Sequence, residues 1–156
     1  MKEENRKRLF RGLEILLFAV YLAMLCYFLF FAESMGRTFS ERTYHYNLEP
    51  FKEIKRFWIY RYSLGSWSVG LNLVGNVAAF LPFGALLPVL FTRCRKFLPT
   101  VLLSFEFSLC VELIQLFWKV GSFDVDDIFL NTLGGILGYL LYWMISVLIK
   151  RGRRDA

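Results

Sequence analysis

The sequence predicts an all-α integral membrane protein: a four-transmembrane-helix bundle with an extracytoplasmic amphipathic segment between helices 1 and 2. Hydrophobic residues make up 56% and aromatic residues 19% of the 156 residues, more than a soluble domain of this size needs to fill one core. Four apolar runs, at residues 12–32, 69–91, 98–118 and 128–149, are each long enough to cross about 30 Å of hydrocarbon at about 1.5 Å per residue.

The four runs are predicted to be helices, because hydrocarbon accepts only helices and closed barrels and no run shows the two-residue alternation of a barrel strand. The first run follows a basic stretch, as a secretory signal does. It is longer than a signal core, however, and residues 31–34 (Phe-Ala-Glu-Ser) make a poor cleavage site. We therefore expect the run to be retained, and residues 1–156 to form a single membrane domain.

Basic residues are concentrated in the segments that would share one side of the membrane: the amino end, the connector 92–97 and the tail 150–154. The loop on the opposite side, residues 119–127, is acidic. Lys and Arg in short loops stay in the cytoplasm, so both termini are predicted to be cytoplasmic. The net charge of +6 then reflects topology, with the lipid bilayer as the partner and no nucleic acid expected.

The segment between the first two spans, residues 33–70, is too long for a turn. Pro50 is predicted to begin an interfacial amphipathic helix, whose apolar face would carry Phe51, Ile54, Phe57 and Trp58. The alternative is a segment that only anchors the chain at the membrane surface, through a belt of aromatic side chains. The lone histidine, His45, has no Cys or second His beside it, so no metal role is expected. The three cysteines, Cys26, Cys94 and Cys110, are interpreted as packing residues.

Polar side chains inside the spans are costly and are therefore site hypotheses. They are Asn72 and Asn76 of the second helix, Glu112 and Gln115 of the third, and Asp124, Asp126, Asp127 and Asn131 at the mouth of the fourth. Because the third helix runs opposite to the second and fourth, Asn76 and Glu112 both lie about 10 Å below the outer boundary, and Asn131 lies somewhat shallower. We predict a polar chamber open to the extracytoplasmic side. The alternatives are interhelical hydrogen bonding and, for the acidic residues, helix capping.

Other features inside the spans concern packing. Glu106 lies near the midplane and is expected to be neutral or hydrogen-bonded within the bundle. Pro82 is expected to kink the second helix. Gly134, Gly135 and Gly138 are expected to allow close helix approach.

Five short motifs occur in order between about residues 45 and 145: 47–51 (NLEPF), 72–76 (NLVGN) with 80–84 (FLPFG), 112–115 (ELIQ), 121–127 (GSFDVDD) and 131–135 (NTLGG). Together they resemble the VanZ-like family. The resemblance implies a small bacterial cell-envelope protein of the cytoplasmic membrane, in a family named for a member that gives low-level teicoplanin resistance. Many members carry Arg where this chain has Ser122, and Glu106 lies outside the motifs.

Two functions from different classes follow. The first is a non-enzymatic antibiotic-resistance protein whose chamber binds a lipid or a lipid-linked cell-wall precursor. The second is an intramembrane enzyme acting on a lipid-linked envelope substrate, with Glu112 as general acid or base and a divalent cation on Asp126 and Asp127. No nucleophile or zinc-binding pattern is present, which favours the first and predicts no cofactor. Transport would require a homo-oligomer, since four helices without an inverted repeat make a poor carrier.

Overall fold

The computed structural model describes residues 3–32, 46–60, 62 and 66–152. Internal contacts divide the chain into two units, Met1–Glu41 and Arg42–Ala156. The first unit contains helix α1 (Glu3–Tyr27), which a π-helical turn (Phe28–Ala32) continues.

The second unit contains three long helices and a short helix. In chain order its elements are strand β1 (Tyr46–Asn47), helix α2 (Lys52–Tyr60), helix α3 (Ser66–Leu90), a 3-10 turn (Thr92–Arg95), helix α4 (Phe97–Trp118), strand β2 (Phe123–Asp124) and helix α5 (Val125–Gly152). Helices α1, α3, α4 and α5 are long and apolar enough to cross a membrane. The predicted all-α membrane fold with four spanning helices is confirmed. The helices extend beyond the apolar runs, most clearly in α1, because backbone hydrogen bonding continues into polar flanks.

Helices α3 and α5 approach so closely that only glycine fits at several contacts. A Cβ atom on Gly84 would lie 1.9 Å from the carbonyl oxygen of Gly135, and one on Gly138 would lie 2.0 Å from that of Leu81. A Cβ atom on Gly134 would lie 2.3 Å from the carbonyl oxygen of Val77. The expected close approach at the glycines of α5 is therefore confirmed, and it is an approach of backbone to backbone.

Helix α4 packs on α5 through small hydroxyl side chains. Thr100, Ser104 and Ser108 are fully buried, and Ser104 Oγ occupies the space that a Cβ on Gly135 would need. Thr100 donates to the carbonyl oxygen of Cys94 at 2.7 Å, and Ser104 to that of Thr100 at 2.9 Å. The hydroxyl groups of Thr100 and Ser104 thus donate within α4 or to its preceding turn, while the small side chains keep the helices close.

An aromatic cluster fills the space between α3 and α4. Phe80 and Phe83 are buried, and the ring of Phe107 lies 5.0 Å from that of Phe83 and 5.8 Å from that of Phe80. Pro82 lies inside α3, which continues to Leu90, and the kink expected there stays a prediction. These contacts fix α3, α4 and α5 as one packed unit. The end at which α3 begins, α4 ends and α5 begins is called the site end below.

Candidate functional site

A short extended segment crosses the site end. Strand β1 pairs in parallel with β2, with Tyr46 opposite Phe123 and Asn47 opposite Asp124. The Asn47 amide also donates from Nδ2 to Asp124 Oδ1 at 3.1 Å. Residues 46–51, called the strap, are therefore attached to the chain just before α5. The sequence analysis did not predict this pairing.

Phe51 ends the strap in a constrained conformation. Its backbone N–H donates to Asp126 Oδ1, and its ring stacks on that of Phe129 with centroids 5.8 Å apart. Its φ of 64° lies in the left-handed region, which is unfavourable for a bulky side chain. The helix expected after Pro50 is present, but its predicted start was wrong: α2 begins at Lys52, because the two contacts with α5 hold Phe51 outside it.

Four acidic residues from three elements lie at the site end, where hydrogen bonds link them to one another's backbone, to the strap or to α3. They form the carboxylate cluster: Glu112 of α4, Asp124 of β2, and Asp126 and Asp127 of α5. Asp124 Oδ1 accepts the backbone N–H of Asp126 at 2.9 Å, and Glu112 Oε2 accepts that of Asp124 at 2.8 Å. Capping of α5 therefore falls to Asp124. The side chains of Glu112 and Asp126 are deeply buried, at 2% and 1% exposure.

Helix α3 is connected to the carboxylate cluster through an amide. Asn76 donates from Nδ2 to Asp127 Oδ1. Asn76 and Glu112 are thus both hydrogen-bonded to residues 124–127, although they lie on different helices. Gln115 is also buried. Asn72 belongs to α3, but its side chain lies outside what the structure describes.

Asn131 lies one helical turn below Asp127 and takes part in a separate contact. It donates from Nδ2 to Ser108 Oγ at 2.9 Å, and it is only 1% exposed. Its Oδ1 has no hydrogen-bond partner within the described ranges. Because both Asn131 and Ser108 lie on the α4–α5 interface, the geometry of this pair is that of an interhelical hydrogen bond.

The surroundings of Asp124 shift the pKa of its carboxyl group. Burial raises the pKa of this carboxyl above its ordinary value, and the nearby Asp126 carboxylate raises it further. Hydrogen bonds from the Asp126 backbone and the Asn47 amide oppose that shift and lower the pKa, as does the charge of Lys52. Desolvation is the largest of these effects, so Asp124 holds a proton more readily than an exposed aspartate does.

The described residues contain no group of three His, Cys, Asp or Glu side chains that could hold a metal ion. A cation on Asp126 and Asp127 therefore stays a hypothesis without a described third ligand. His45 lies outside the described residues.

Two polar residues of α4 point away from the site. Glu106 is exposed, and Cys110 is exposed on the same helix. Glu106 was expected to be neutral or hydrogen-bonded within the bundle, and no hydrogen bond to it is found among the described side chains. Cys110, interpreted as a packing residue, does not lie in the core of the described unit. The reason is helical phase: Ser104 and Ser108 occupy the face that packs on α5, which turns Glu106 outward.

Comparisons with known proteins place these features in a family. The family model for VanZ/LLP1 matches residues 18–148, most of the chain. The chain belongs to the VanZ/LLP1 family. Protein VanZ of Enterococcus faecium is 34% identical over 142 residues, which cover 89% of this chain and 79% of that protein. No solved structure gives a significant match. The VanZ-like resemblance is confirmed, and the match extends beyond residues 45–145 into α1.

Two contacts of this VanZ/LLP1 chain were missed by the sequence analysis. Asn47 was quoted as part of a motif but given no role, and Ser108 was not singled out. The signal for Asn47 was its motif, because an Asn two residues before an acidic residue and three before a proline is a typical turn residue. For Ser108 the signal was its four-residue spacing from Ser104 and Glu112, which places all three on one helix face.

Proposed function

We propose that the carboxylate cluster faces the outside of the cell and binds the polar head of a lipid or of a lipid-linked cell-wall precursor, without turnover. By occupying or retaining that ligand, the protein would lower susceptibility to teicoplanin-like glycopeptides. The observation that carries the proposal is the chain of hydrogen bonds that links Asp124 with the buried Glu112 and Asp126, from three elements, at one end of a unit with three spanning helices.

The chemistry of the cluster restricts the ligand. Ionised carboxylates only accept hydrogen bonds, so a ligand must bring N–H, O–H or ammonium groups. Amino sugars and peptides carry such groups, and a lipid tail would lie along the apolar helices. Burial strengthens each of these interactions, because bulk water competes less at a buried site.

We propose that the protein lies in the bacterial cytoplasmic membrane with both termini in the cytoplasm. The basic connector at residues 92–96 and the basic end of α5 lie opposite the site end. Since basic loops are retained in the cytoplasm, the carboxylate cluster and the strap would face outward.

The second candidate is an intramembrane enzyme with Glu112 as acid or base. The observation that favours it is the burial of Glu112, which is 2% exposed, since buried carboxyl groups also occur in acid–base sites. The Asp124 N–H bond to Glu112 Oε2 gives the same residue a structural role. Glu112→Gln separates the two, because glutamine still accepts that hydrogen bond but cannot transfer the proton.

The first test measures teicoplanin and vancomycin susceptibility in a susceptible bacterium that expresses the protein. We expect a selective loss of teicoplanin susceptibility, which Glu112→Ala and Asp127→Ala abolish at equal membrane abundance. Glu4→Ala, an exposed acid of α1, is the matched control and should behave like the parent. Glu112→Gln should retain most of the effect if the site only binds.

Two results would count against the proposal. If Glu112→Ala and Asp127→Ala protect as well as the parent, the cluster is structural only. If Glu112→Gln is as inactive as Glu112→Ala while its thermal stability matches that of the parent, the enzymatic alternative is favoured.

A further inference from the structure

Helix α4 has a second face, opposite the one that packs on α5. The packed face carries Ser104, Ser108, Val111 and Gln115, all buried. At about 100° per residue, residues half a turn away form a row that is exposed along the helix. This row is called the α4 seam: Leu103, Glu106, Cys110, Leu113 and Phe117.

The α4 seam contains an acidic residue at a depth where no water is expected. Glu106 lies nine residues after Phe97 and 12 before Trp118, or about 14 Å and 18 Å from the two ends at about 1.5 Å per residue. It is exposed, and no hydrogen bond or ion pair to it is found among the described side chains. A carboxyl group facing hydrocarbon is unfavourable without a partner.

The spacing of the α4 seam indicates what kind of partner fits. Its residues are separated by 3, 4, 3 and 4 positions, which is the a/d spacing of a heptad repeat, typical of helices that pair nearly in parallel. A groove of about 570 Å³ lies along the same part of the helix, lined by Cys110, Leu113, Ile114, Phe117 and Trp118. The exposed side chains of the α4 seam can insert into a groove on a partner helix, and the groove beside them can receive side chains from that helix.

We propose that the α4 seam is the interface of a parallel homodimer, in which Glu106 of one copy hydrogen-bonds to the Glu106 of the partner subunit. All copies insert with the same orientation, so this side chain has the same depth in each. A residue near a two-fold axis along the membrane normal meets its own copy. A neutral carboxylic acid donates and accepts at once, so two identical acids satisfy each other where a hydrocarbon surface cannot.

A native cysteine allows this interface to be tested in membranes. Cys110 lies in the α4 seam one turn from Glu106, and a disulfide requires Cα atoms within about 7 Å. Oxidation with copper phenanthroline should therefore give a cross-linked dimer of the full-length protein. The dimer should be lost in Cys110→Ala, with Cys26 and Cys94 unchanged in both proteins.

The matched control moves the cysteine to another exposed helix face at the same depth. Leu133 of α5 is exposed and lies eight residues from the site end of its helix, as Cys110 does. Cys110→Ala combined with Leu133→Cys should cross-link at least about five-fold less than the parent, since random collision would not distinguish the two faces.

Variants of Glu106 test whether its carboxyl group stabilises the dimer interface. Glu106→Gln keeps a donor and an acceptor and should cross-link like the parent, whereas Glu106→Leu should reduce the yield at least about five-fold at equal membrane abundance. Equal yields from Cys110 and Leu133→Cys would overturn the dimer. A full yield in Glu106→Leu would overturn the role of the carboxyl pair. The site-end variants are not used, so failure here leaves the ligand-binding proposal unaffected.

Discussion

Asp124 has several roles at once. Its Oδ1 accepts from the Asp126 backbone and from the Asn47 amide, and its own N–H donates to Glu112. It therefore fixes the start of α5, the strap and the end of α4 relative to one another. Of the three aspartates between residues 124 and 127, the sequence could not show which one caps the helix, because each stands close enough to the first turn to do so.

The raised pKa of Asp124 predicts a specific pH dependence of stability. The folded protein holds this proton above the ordinary pKa of 3.8, so the contribution is fully present below that value and is lost as pH rises through the raised pKa. Asp124→Asn keeps the Oδ1 acceptor but cannot titrate. Thermal unfolding in detergent should thus show the parent losing stability relative to Asp124→Asn as pH rises through this window. Midpoints that stay parallel across the series would contradict the assignment.

The same titration should affect binding. If the ligand presents an ammonium group, its affinity should fall as pH drops through the raised pKa of Asp124, because the protonated carboxyl no longer carries charge. Binding to vesicle-reconstituted protein can be followed with a phospholipid bearing a primary amine. Asp124→Asn should remove the pH dependence that Asp124 contributes. A parent and variant that respond identically to pH would exclude this carboxyl from the ligand contact.

Among the elements, the contact between α3 and α5 is the least tolerant of added volume. Gly84→Ala would place a methyl group 1.9 Å from the Gly135 carbonyl oxygen, which is backbone and cannot rotate away. Overpacking of this kind costs about 1–3 kcal/mol or more. Gly75→Ala, with nothing within 4 Å of its added Cβ, is the matched control in the same helix and should gain roughly 0.5–1 kcal/mol. Thermal midpoints in detergent test both.

The sequence predicted the spanning helices and their glycine contacts, but it did not predict the strand pairing or the conformation of Phe51. The four spans were found because hydropathy is a local property that about twenty neighbouring residues share. The glycines of α5 were found because their four-residue spacing marks one helix face. The β1–β2 pairing was missed because each strand has two residues, too few for a period, and its partners are 77 positions apart. The conformation of Phe51 was missed because its causes, Asp126 and Phe129, lie on another element.

At the scale of the whole molecule, the proposed orientation can be tested in intact cells. Glu49 lies in the strap and Thr92 lies in the connector between α3 and α4, and both are exposed. A membrane-impermeant maleimide should label Glu49→Cys from outside, and it should label Thr92→Cys only after the membrane is permeabilised. The parent, with its three native cysteines, gives the background. The reverse pattern would place the carboxylate cluster in the cytoplasm.

The pairing of β1 with β2 also affects how the protein is made. Asn47 leaves the ribosome well before Asp124, and the two residues lie 77 positions apart, with α3 and α4 between them. Contacts of such long sequence separation form late, because the intervening chain must be ordered first. The strap therefore has no binding partner on α5 until the last helix has been inserted. Assembly of the carboxylate cluster should accordingly be the final step of biogenesis, and a chain arrested before α5 would reach the membrane without a site.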